Sequence, residues 1–488
     1  MRIPVSRKAT KIYPNSKRVF ARFFSNGAER ARSVIQKVMQ MSDEETATYF
    51  SQILREFSRR HRNITRVFEK HAGLLKPYFI EAGIDYNNVN IHRRWLIGSY
   101  FTMEYAIESA AFFNPSMVED IDQTNLEDGA KRVIISFRAV GEGHISSIVF
   151  RRAVIDRDNE IHLDGAGKYI DEPEIYRDST YEKYTFFQKA ASIKLPKNIK
   201  NEIAKDLKDE FEYEELKTVI RNLQKTYNEK AEIKQHLERM LWLSNSFYEI
   251  NFSLDTDISD RVIFPYSSSE KRGMEDARFV RFTDDNGDII YYATYTAYDG
   301  VAIQPMLLET RDFYHFHIMP LYGEGAQNKN LALFPRKING KYAMVSRIDG
   351  INNYVVFSDD LNVWENPVML HEPKHPWSFI QVGNCGSPIE TEAGWLLMIH
   401  GVGPMRQYCI SACLLELGNP QKEIDQLKDP LLTPLEEERE GYVPNVVYSC
   451  GSIIHNGEVI IPYGMSDYAS SFASVPLNKL IEAILQGG

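Results

Sequence analysis

The chain has 488 residues, of which 43% are hydrophobic and 25% are charged, an ordinary composition for a globular protein with a large core or several domains. Its formal net charge is −10, which argues against general nucleic-acid binding because that function needs a basic surface. No apolar run approaches the length of a membrane-spanning helix, so neither nucleic acid nor membrane is expected as a partner, although a local cation cluster could bind a small anion.

The N-terminus, residues 1–24, is basic but lacks the apolar stretch of a secretory signal, so we expect a cytoplasmic protein. Four cysteines lie in the C-terminal third and form no Cys-x-x-Cys pair: Cys385, Cys409, Cys413 and Cys450. In that compartment we expect reduced, mostly buried thiols rather than disulfides.

Residues 27–100 have the hydrophobic spacing of helices. Ser42 and Glu45 match the pattern of a capping box. Apolar side chains follow at helical spacing, namely Tyr49, Phe50, Ile53, Leu54 and Phe57. We therefore predict that residues 1–104 form a helical N-terminal extension packed on the main domain.

Five later stretches share a turn followed by a short apolar or aromatic strand and a polar group. They begin at Ala130, Gly287, Gly340, Gly394 and Gly457, and the last four starts are 53, 54 and 63 residues apart. A strand repeat of about 50 residues is typical of a β-propeller with one sheet per repeat. The pattern therefore predicts a mainly β domain over residues 105–475.

A second helical block, at about 199–246, interrupts these strand repeats. Its apolar residues keep the helical period, which explains why the first repeat lies so far from the second. The block could be a structural brace, a lid or an oligomer contact, and an apolar helix stripe favours the first or the last. Residues 476–488 are predicted to form a closing helix and tail.

Polar groups at the ends of strands arranged around an axis would form a ready pocket. The repeats therefore predict that Arg138, Arg347, His400 and Asp467 are neighbours in space. Asn328-Lys-Asn330 precedes another strand, and lysine, arginine, histidine and asparagine together would suit a phosphate. Each of these residues also has a purely structural interpretation, such as a pair between Arg347 and Asp349.

Other motifs are less specific. Gly273-Met-Glu-Asp-Ala-Arg278 places two adjacent carboxylates beside an arginine, a pattern that alone is more typical of a surface salt bridge. His315-Phe-His317 has a spacing that metal sites permit, but the sequence offers no obvious third ligand, so no metal is predicted. Asp164-Gly-Ala-Gly-Lys168 lacks the phosphate-loop pattern.

Taken in order, several segments resemble glycoside hydrolase family 130, the mannoside phosphorylases and β-mannosidases. The matching segments are Asn114-Pro115, Ser136-Phe-Arg-Ala139, Ser146-Ser-Ile148, Gly273-Met-Glu-Asp-Ala-Arg278, Leu333-Phe-Pro335 with Gly340-Lys-Tyr342, Gly394-Trp-Leu396 with His400-Gly401, Val443-Pro-Asn-Val446 and Tyr463-Gly-Met-Ser-Asp467. The resemblance covers about residues 105–480 apart from the helical insert. It implies a five-bladed β-propeller, with the N-terminal helices and the insert marking a longer subgroup.

The resemblance also implies roles for particular residues. Asp276 takes the position of the general acid, which in the phosphorylases is thought to protonate the glycosidic oxygen through the mannose 3-hydroxyl. The mannose site is implied for Asn114, Arg138, Asn445 and Asp467, with Tyr408 more loosely near the acceptor. The phosphate site is implied for Lys329, Asn330, Arg347, Gln381 and His400.

Two of these positions depart from the common pattern. Gln381 stands where the phosphorylases usually carry a lysine, and Lys329 stands where arginine is frequent. The hydrolytic members carry glutamates in place of the basic cluster, and none of the corresponding residues here is acidic. The sequence therefore favours phosphorolysis over hydrolysis.

The expected reaction is reversible inverting phosphorolysis of a β-1,2- or β-1,4-mannoside to α-mannose 1-phosphate and a shortened sugar. Phosphate is the co-substrate, no metal or organic cofactor is expected, and a homo-oligomer is possible. Three alternatives stay open: an inverting β-mannosidase, a non-catalytic carbohydrate-binding propeller, and an arabinanase-like enzyme with three separated carboxylates.

Overall fold

The structure is a computed structural model, and it describes residues 3–25, 27–176, 180–189, 196–227, 230–244 and 247–486. Strands predominate in these ranges, so the mainly β class predicted from the repeats is confirmed. Within the same ranges, no helix is both long and apolar enough to cross a membrane.

The N-terminal segment combines two strands with five helices. Its elements are β1 (Ser6–Ile12), β2 (Val19–Phe23), α1 (Ala28–Gln40), α2 (Asp43–Phe57), α3 (Ile64–Gly73), α4 (Lys76–Glu81) and α5 (Ile91–Tyr100). The capping box at α2 is confirmed, since Ser42 Oγ accepts from Glu45 N at 3.1 Å and Ser42 N donates to Glu45 Oε2 at 2.8 Å. The helices enclose a hydrophobic core of their own, which includes Phe50, Phe68 and Phe79.

The helical N-terminal extension predicted for residues 1–104 also contains strands, which the prediction did not include. β1 pairs antiparallel with the strand Ala469–Pro476 near the other end of the chain. β2 pairs with β3 (Thr102–Ala106), directly after the helices. The Ser6–Ile12 segment is mostly polar and shows little of the alternation between apolar and polar residues that is typical of a strand. This segment forms a strand because it pairs with a distant strand.

After β3 the chain forms four strands, then the helical insert. The strands are β4 (Ala111–Glu119), β5 (Lys131–Val140), β6 (Ser146–Ile155) and β7 (Ile161–Leu163). The insert contains β8 (Glu174–Tyr176), β9 (Thr180–Glu182), α6 (Lys183–Lys189), α7 (Lys197–Asp206), β10 (Glu210–Glu212), α8 (Tyr213–Thr226) and α9 (Ala231–Ser244). The predicted block at 199–246 is thus mainly helical in its described residues, with β10 between α7 and α8; 228–229 and 245–246 lie outside the described residues.

In the remaining chain, strands are the main regular elements. They are β11 (Tyr248–Asn251), β12 (Val262–Ile263), β13 (Gly273–Thr283), β14 (Ile289–Tyr298), β15 (Ile303–Thr310), β16 (His315–Pro320), β17 (Ala332–Leu333), β18 (Tyr342–Ser346), β19 (Asn353–Ser358), β20 (Val368–His371), β21 (Gln381–Asn384), β22 (Ile389–Thr391), β23 (Gly394–Val402), β24 (Tyr408–Leu415), β25 (Glu423–Gln426), β26 (Val447–Tyr448), β27 (Ile453–His455), β28 (Glu458–Met465) and β29 (Ala469–Pro476). The predicted closing helix is confirmed as α10 (Leu477–Leu485).

These strands form five sheet units, each built around one of the five repeated stretches. Unit 1 contains β4–β7 and β12; unit 2 contains β8, β11 and β13–β16; unit 3 contains β17–β20; unit 4 contains β21–β25; unit 5 contains β1 and β26–β29. Units 1 and 2 are joined by a single parallel residue pair, Ser146 with Gly273. A Cβ on Gly273 would lie 2.2 Å from Ser146 Oγ, so only glycine permits this approach.

Each unit contacts the next, and unit 5 contacts unit 1. Backbone hydrogen bonds join the later units in turn: Thr283 N to Pro335 O at 2.9 Å, Val382 N to Ile351 O at 2.9 Å, Tyr408 N to Asn445 O at 3.0 Å, and Cys450 N to Pro115 O at 2.9 Å. A hydrophobic cluster also fills each of the five contacts between successive units. All four cysteines are buried and free, as the sequence predicted.

Candidate active site

Side chains from all five units converge on one polar cavity of about 220 Å³. Its lining comprises Asn114, Arg138, Glu275, Asp276, Lys329, Arg347, Gln381, His400, Arg406, Tyr408, Val443, Val446, Tyr448 and Asp467. A larger groove of about 1210 Å³ runs beside α10, but most of its lining side chains are apolar. The smaller cavity is the candidate site because it gathers the ionisable groups.

Nine of the eleven residues predicted for the site line this cavity, including the four expected neighbours Arg138, Arg347, His400 and Asp467. Asn330 and Asn445 are the two that do not. Asn330 is 1% exposed, and its amide donates to Asn384 O at 3.0 Å and to Tyr448 Oη at 3.1 Å. Asn445 supports the wall through its backbone, whose carbonyl accepts from Tyr408 N at 3.0 Å.

Four polar residues of the lining have a left-handed backbone: Asn114 (φ 50°), Asp276 (φ 56°), Asp467 (φ 52°) and Arg406 (φ 55°). The first two lie where the strand register shifts, in β4 and β13, and the third lies in the turn after β28. Such irregularities redirect a side chain out of the regular pleat and are frequent next to active sites. Asparagine and aspartate tolerate this conformation better than most residues.

The Asp276 carboxylate is held by an amide and a guanidinium. Asn114 Nδ2 donates to its Oδ1 at 2.6 Å, and Arg138 Nη1 donates to the same oxygen at 3.3 Å. Burial would raise the pKa of Asp276, but the charges of Arg138 and Arg278 and the bond from Asn114 hold that pKa below its usual value. The carboxylate is therefore ionised in the free protein at neutral pH.

Glu275 is a cavity residue that the sequence analysis did not assign to the site. Its Oε1 accepts from Arg138 Nη2 at 2.8 Å, and its Oε2 lies 2.5 Å from Lys329 Nζ. Glu275 thus joins a cation on the predicted sugar side to one on the predicted phosphate side. The only sequence feature that pointed to Glu275 was its position beside Asp276 in the Gly273–Arg278 motif.

Arg347 is a half-buried cavity cation that is not compensated in this way, and Arg406, which also has no carboxylate partner in the described chain, is exposed. Its Nη1 lies 3.4 Å from His400 Nε2, and its buried Nε has no hydrogen-bond partner. His400 Nδ1 lies 3.1 Å from Asn384 O, so this nitrogen carries the proton and Nε2 accepts from Arg347. Within the described chain, no carboxylate lies at ion-pairing distance from Arg347.

His400 adds no positive charge to the cavity. Burial, Arg347 and Arg278 lower the pKa of His400 well below its usual value. The imidazole is therefore neutral at neutral pH, and its role is to orient Arg347. Burial also lowers the pKa of Arg347, whose guanidinium nevertheless stays charged.

Asp467 has the opposite titration behaviour from Asp276. Burial and the negative charge of Asp276 raise the pKa of Asp467 to about 6, and the positive charge of Arg138 only partly opposes this rise. Its ionisation therefore changes within the physiological range.

Aromatic and amide groups complete the wall. The ring of Tyr408 stacks on that of His400, with centroids 5.9 Å apart, and Gln381 Nε2 donates to Tyr408 Oη at 3.4 Å. Tyr448 Oη accepts from Arg278 Nη2 at 2.5 Å. Sequence reasoning did not assign Tyr448 or Arg406, although Tyr448 follows the Val443–Val446 motif closely.

Two groups of side chains contain residue types that can bind a metal ion. His315 and His317 each pair with a different carboxylate, Asp312 at 2.7 Å and Glu249 at 3.2 Å. Potential ligand atoms of His371, Cys413 and Glu423 lie within 4.8 Å of one another. Lys374 Nζ lies 2.7 Å from Glu423, and a cation there favours an ion-pair network over a metal.

Comparison with known proteins identifies the family. The model of glycoside hydrolase family 130, described as beta-1,4-mannooligosaccharide phosphorylase, matches residues 215–486. This match covers more than half of the chain, and the chain belongs to that family. Asn114 and Arg138 lie outside the matched range.

Individual relatives agree with this assignment. A 1,2-beta-oligomannan phosphorylase from Thermoanaerobacter sp. (strain X514) is 36% identical over 221 residues, which are 44% of this chain and 72% of the relative. A beta-1,2-mannobiose phosphorylase from Listeria innocua serovar 6a is 27% identical over 245 residues, which are 48% of this chain and 65% of the relative. A solved structure, a beta-1,2-mannobiose phosphorylase from Listeria innocua with beta-1,2-mannobiose, aligns with a TM-score of 0.44 and 19% identity, covering 78% of this chain and 93% of that one.

Proposed function

We propose that this chain catalyses the reversible, inverting phosphorolysis of β-mannosides to α-mannose 1-phosphate and a shortened sugar. The observation that carries the proposal is the Arg347 guanidinium, which lies uncompensated in the same cavity as the carboxylate of Asp276. A buried cation without a counter-ion is costly unless an anion binds to it. The names of the relatives, which are phosphorylases of β-1,2- and β-1,4-linked mannosides, support the same reaction.

The Arg347 guanidinium is well suited to bind a phosphate ion. A guanidinium can bind two phosphate oxygens at once, and the bond to neutral His400 fixes its orientation. Lys329 adds a second cation, although Glu275 engages it in the free protein. Phosphate must therefore compete with Glu275 for Lys329, and Gln381 can add only a neutral hydrogen bond.

In the proposed step, a phosphate oxygen attacks C1 of the mannose residue from the face opposite the glycosidic oxygen. The new C1–O bond forms as the bond to the leaving sugar breaks, and the leaving oxygen takes a proton supplied by Asp276. In the resemblance described above, this proton passes through the mannose 3-hydroxyl. A bound phosphate anion would also offset the cations that depress the pKa of Asp276 and so favour its acidic form.

Hydrolysis is the competing function, because the cavity holds two further carboxylates. An inverting hydrolase needs one of them as a base that activates water. Both carboxylate oxygens of Glu275 are already engaged by Arg138 and Lys329, whereas Asp467 could accept a proton near pH 6. Dependence of the reaction on phosphate separates the two functions.

The proposal includes a five-bladed β-propeller whose blades are the five sheet units, supported by the ring of contacts between successive units. Residues 105–475 would form this catalytic domain, with 1–104 and 476–488 as extensions. No metal or organic cofactor takes part in the proposed reaction. A cytoplasmic setting fits the charged product, which does not cross membranes unaided.

The test is to incubate the purified protein with β-1,2- or β-1,4-mannobiose, with and without inorganic phosphate, and to quantify mannose 1-phosphate. We expect it to form only with phosphate, and from the β-1,2-linked substrate preferentially. Free mannose at equal rates with and without phosphate would instead establish hydrolysis.

A further inference from the structure

A pair of exposed rings lies beside the candidate site without any role in the chemistry above. The ring of Tyr442 is 72% exposed and stacks on the exposed ring of His144, with centroids 5.4 Å apart and planes inclined by 29°. A single exposed aromatic residue is common on protein surfaces. Two exposed rings stacked on each other across 298 residues of sequence form a preorganised surface.

The backbone on both sides fixes this pair in place. Val443 N donates to Ser466 O at 3.1 Å, and a Cβ on Gly441 would lie 2.2 Å from that same oxygen. Only glycine therefore lets the segment before Tyr442 lie flat against Ser466. On the other side, His144 has a left-handed backbone (φ 57°), and its N–H donates to Gly141 O at 3.2 Å.

The pair lies at the rim of the cavity. Val443, the next residue after Tyr442, belongs to the cavity lining, as does Asp467 directly after Ser466. His144 lies in the turn that follows β5, the strand that carries Arg138. Both rings are therefore attached to segments that line the predicted mannose side.

The stereochemistry of the proposed reaction indicates where the leaving saccharide should lie. With inversion, the nucleophile and the leaving group occupy opposite faces of the sugar ring. The phosphate residues Arg347 and His400 belong to units 3 and 4, whereas His144 belongs to unit 1 and Tyr442 directly precedes unit 5. The leaving saccharide should therefore extend away from the Arg347 and His400 side chains, and the rim that carries the two rings offers such a direction.

We infer that Tyr442 and His144 form a platform that binds the leaving saccharide of a β-mannoside by stacking on the apolar face of a pyranose ring. For the identity of its ligand, this inference rests on the proposed function. Aromatic rings provide a large apolar surface at a low entropic cost, which suits a carbohydrate at a solvent-exposed rim. The cavity itself, at about 220 Å³, is smaller than the roughly 300–1,000 Å³ typical of ligand pockets, so an oligosaccharide must extend beyond it.

The test compares Tyr442→Ala and Tyr442→Phe with the wild-type protein in the synthetic direction. With α-mannose 1-phosphate as donor, Tyr442→Ala should raise the KM for a mannose or mannobiose acceptor about five- to tenfold. The KM for mannose 1-phosphate should stay unchanged, and Tyr442→Phe should behave like the wild type because stacking needs no hydroxyl. Tyr100→Ala, at an exposed tyrosine of α5 that is not part of the cavity lining, is the matched control.

Calorimetric titration with β-1,2-mannotriose in the absence of phosphate separates this inference from the proposed function. A five- to tenfold weaker affinity of Tyr442→Ala supports the platform, even if the wild type makes no mannose 1-phosphate and the proposed function fails. Equal affinities for wild type and Tyr442→Ala overturn the platform, even if phosphorolysis is observed. Equal losses in Tyr442→Ala and Tyr100→Ala overturn it as well, because the effect would then not be local.

Discussion

Replacement of Arg347 by alanine should weaken the binding of phosphate far more than the binding of sugar. Arg347 is a half-buried cavity cation with no carboxylate partner in the described chain, so its charge is free to act on a bound anion. Removal of Lys329 would be less informative, because that side chain is already paired with Glu275. The contrast between these two cations makes Arg347 the more decisive position.

The magnitude follows from the geometry of the cavity. A cation about 4 Å from a unit negative charge gains about 4 kcal/mol at an effective dielectric constant of about 20. Partial exposure of the cavity and the remaining cations reduce the loss to about 2–4 kcal/mol. This corresponds to a rise in the KM for phosphate of about 30- to 1000-fold.

The assay is steady-state phosphorolysis of β-1,2-mannobiose, with each substrate varied at a saturating level of the other. Arg347→Lys is the matched control, since it keeps the charge but loses the two-point contact, and it should lie between the wild type and Arg347→Ala. Circular dichroism and thermal melting should show that the variants are folded. Equal rises in the KM values for phosphate and sugar would refute the reasoning and make Arg347 a structural or sugar-binding residue.

Three further substitutions test other parts of the account. Asp276→Asn should keep the fold, because asparagine tolerates the left-handed backbone, and should lower kcat by about 10²- to 10⁴-fold; near-normal turnover would remove Asp276 from its role. The pKa of Asp467 is raised to about 6, so its carboxylate loses its charge as the pH falls below 6, and kcat/KM for mannobiose should fall in that range. Asp467→Asn should be less active, and its pH profile should lack the inflection near pH 6. An inflection that persists in Asp467→Asn would belong to another group. Burial would raise the pKa of Glu423, but His371 and Lys374 lower it to about 2; its ion pairs therefore stabilise the fold above the unfolded value near 4.5, and this contribution is lost as the pH falls towards 2. Thermal melts of Glu423→Gln should show a loss of about 2 kcal/mol at pH 7 that shrinks towards pH 3, and a loss independent of pH would contradict this.

The repeated strands could be predicted because their pattern is local. A turn followed by alternating or continuous apolar residues specifies β14, β18, β23 and β28 without any knowledge of distant partners. The strand form of β1 could not be predicted in the same way. Its residues are mostly polar, and its pairing partner lies more than 450 residues away.

The sequence predicted most of the residues that line the site but not the charges that they carry. Motif order identified most of the lining, including Asp276 and Arg347. Sequence alone could not show that burial and two arginines keep His400 neutral, or that Glu275 engages Lys329. Both facts depend on distances between units that are far apart in sequence. Such electrostatic properties are set by the assembled environment rather than by residue type.

The most direct test of phosphorolysis is to run the reaction in ¹⁸O-labelled water with unlabelled phosphate and β-1,2-mannobiose, and to analyse the products by mass spectrometry. If phosphate attacks C1, the first product is mannose 1-phosphate with no ¹⁸O, and NMR shows the α anomer. If water attacks C1 instead, two mannose molecules form, one of them carries one ¹⁸O atom from the start and no mannose 1-phosphate appears, and this result would contradict the account.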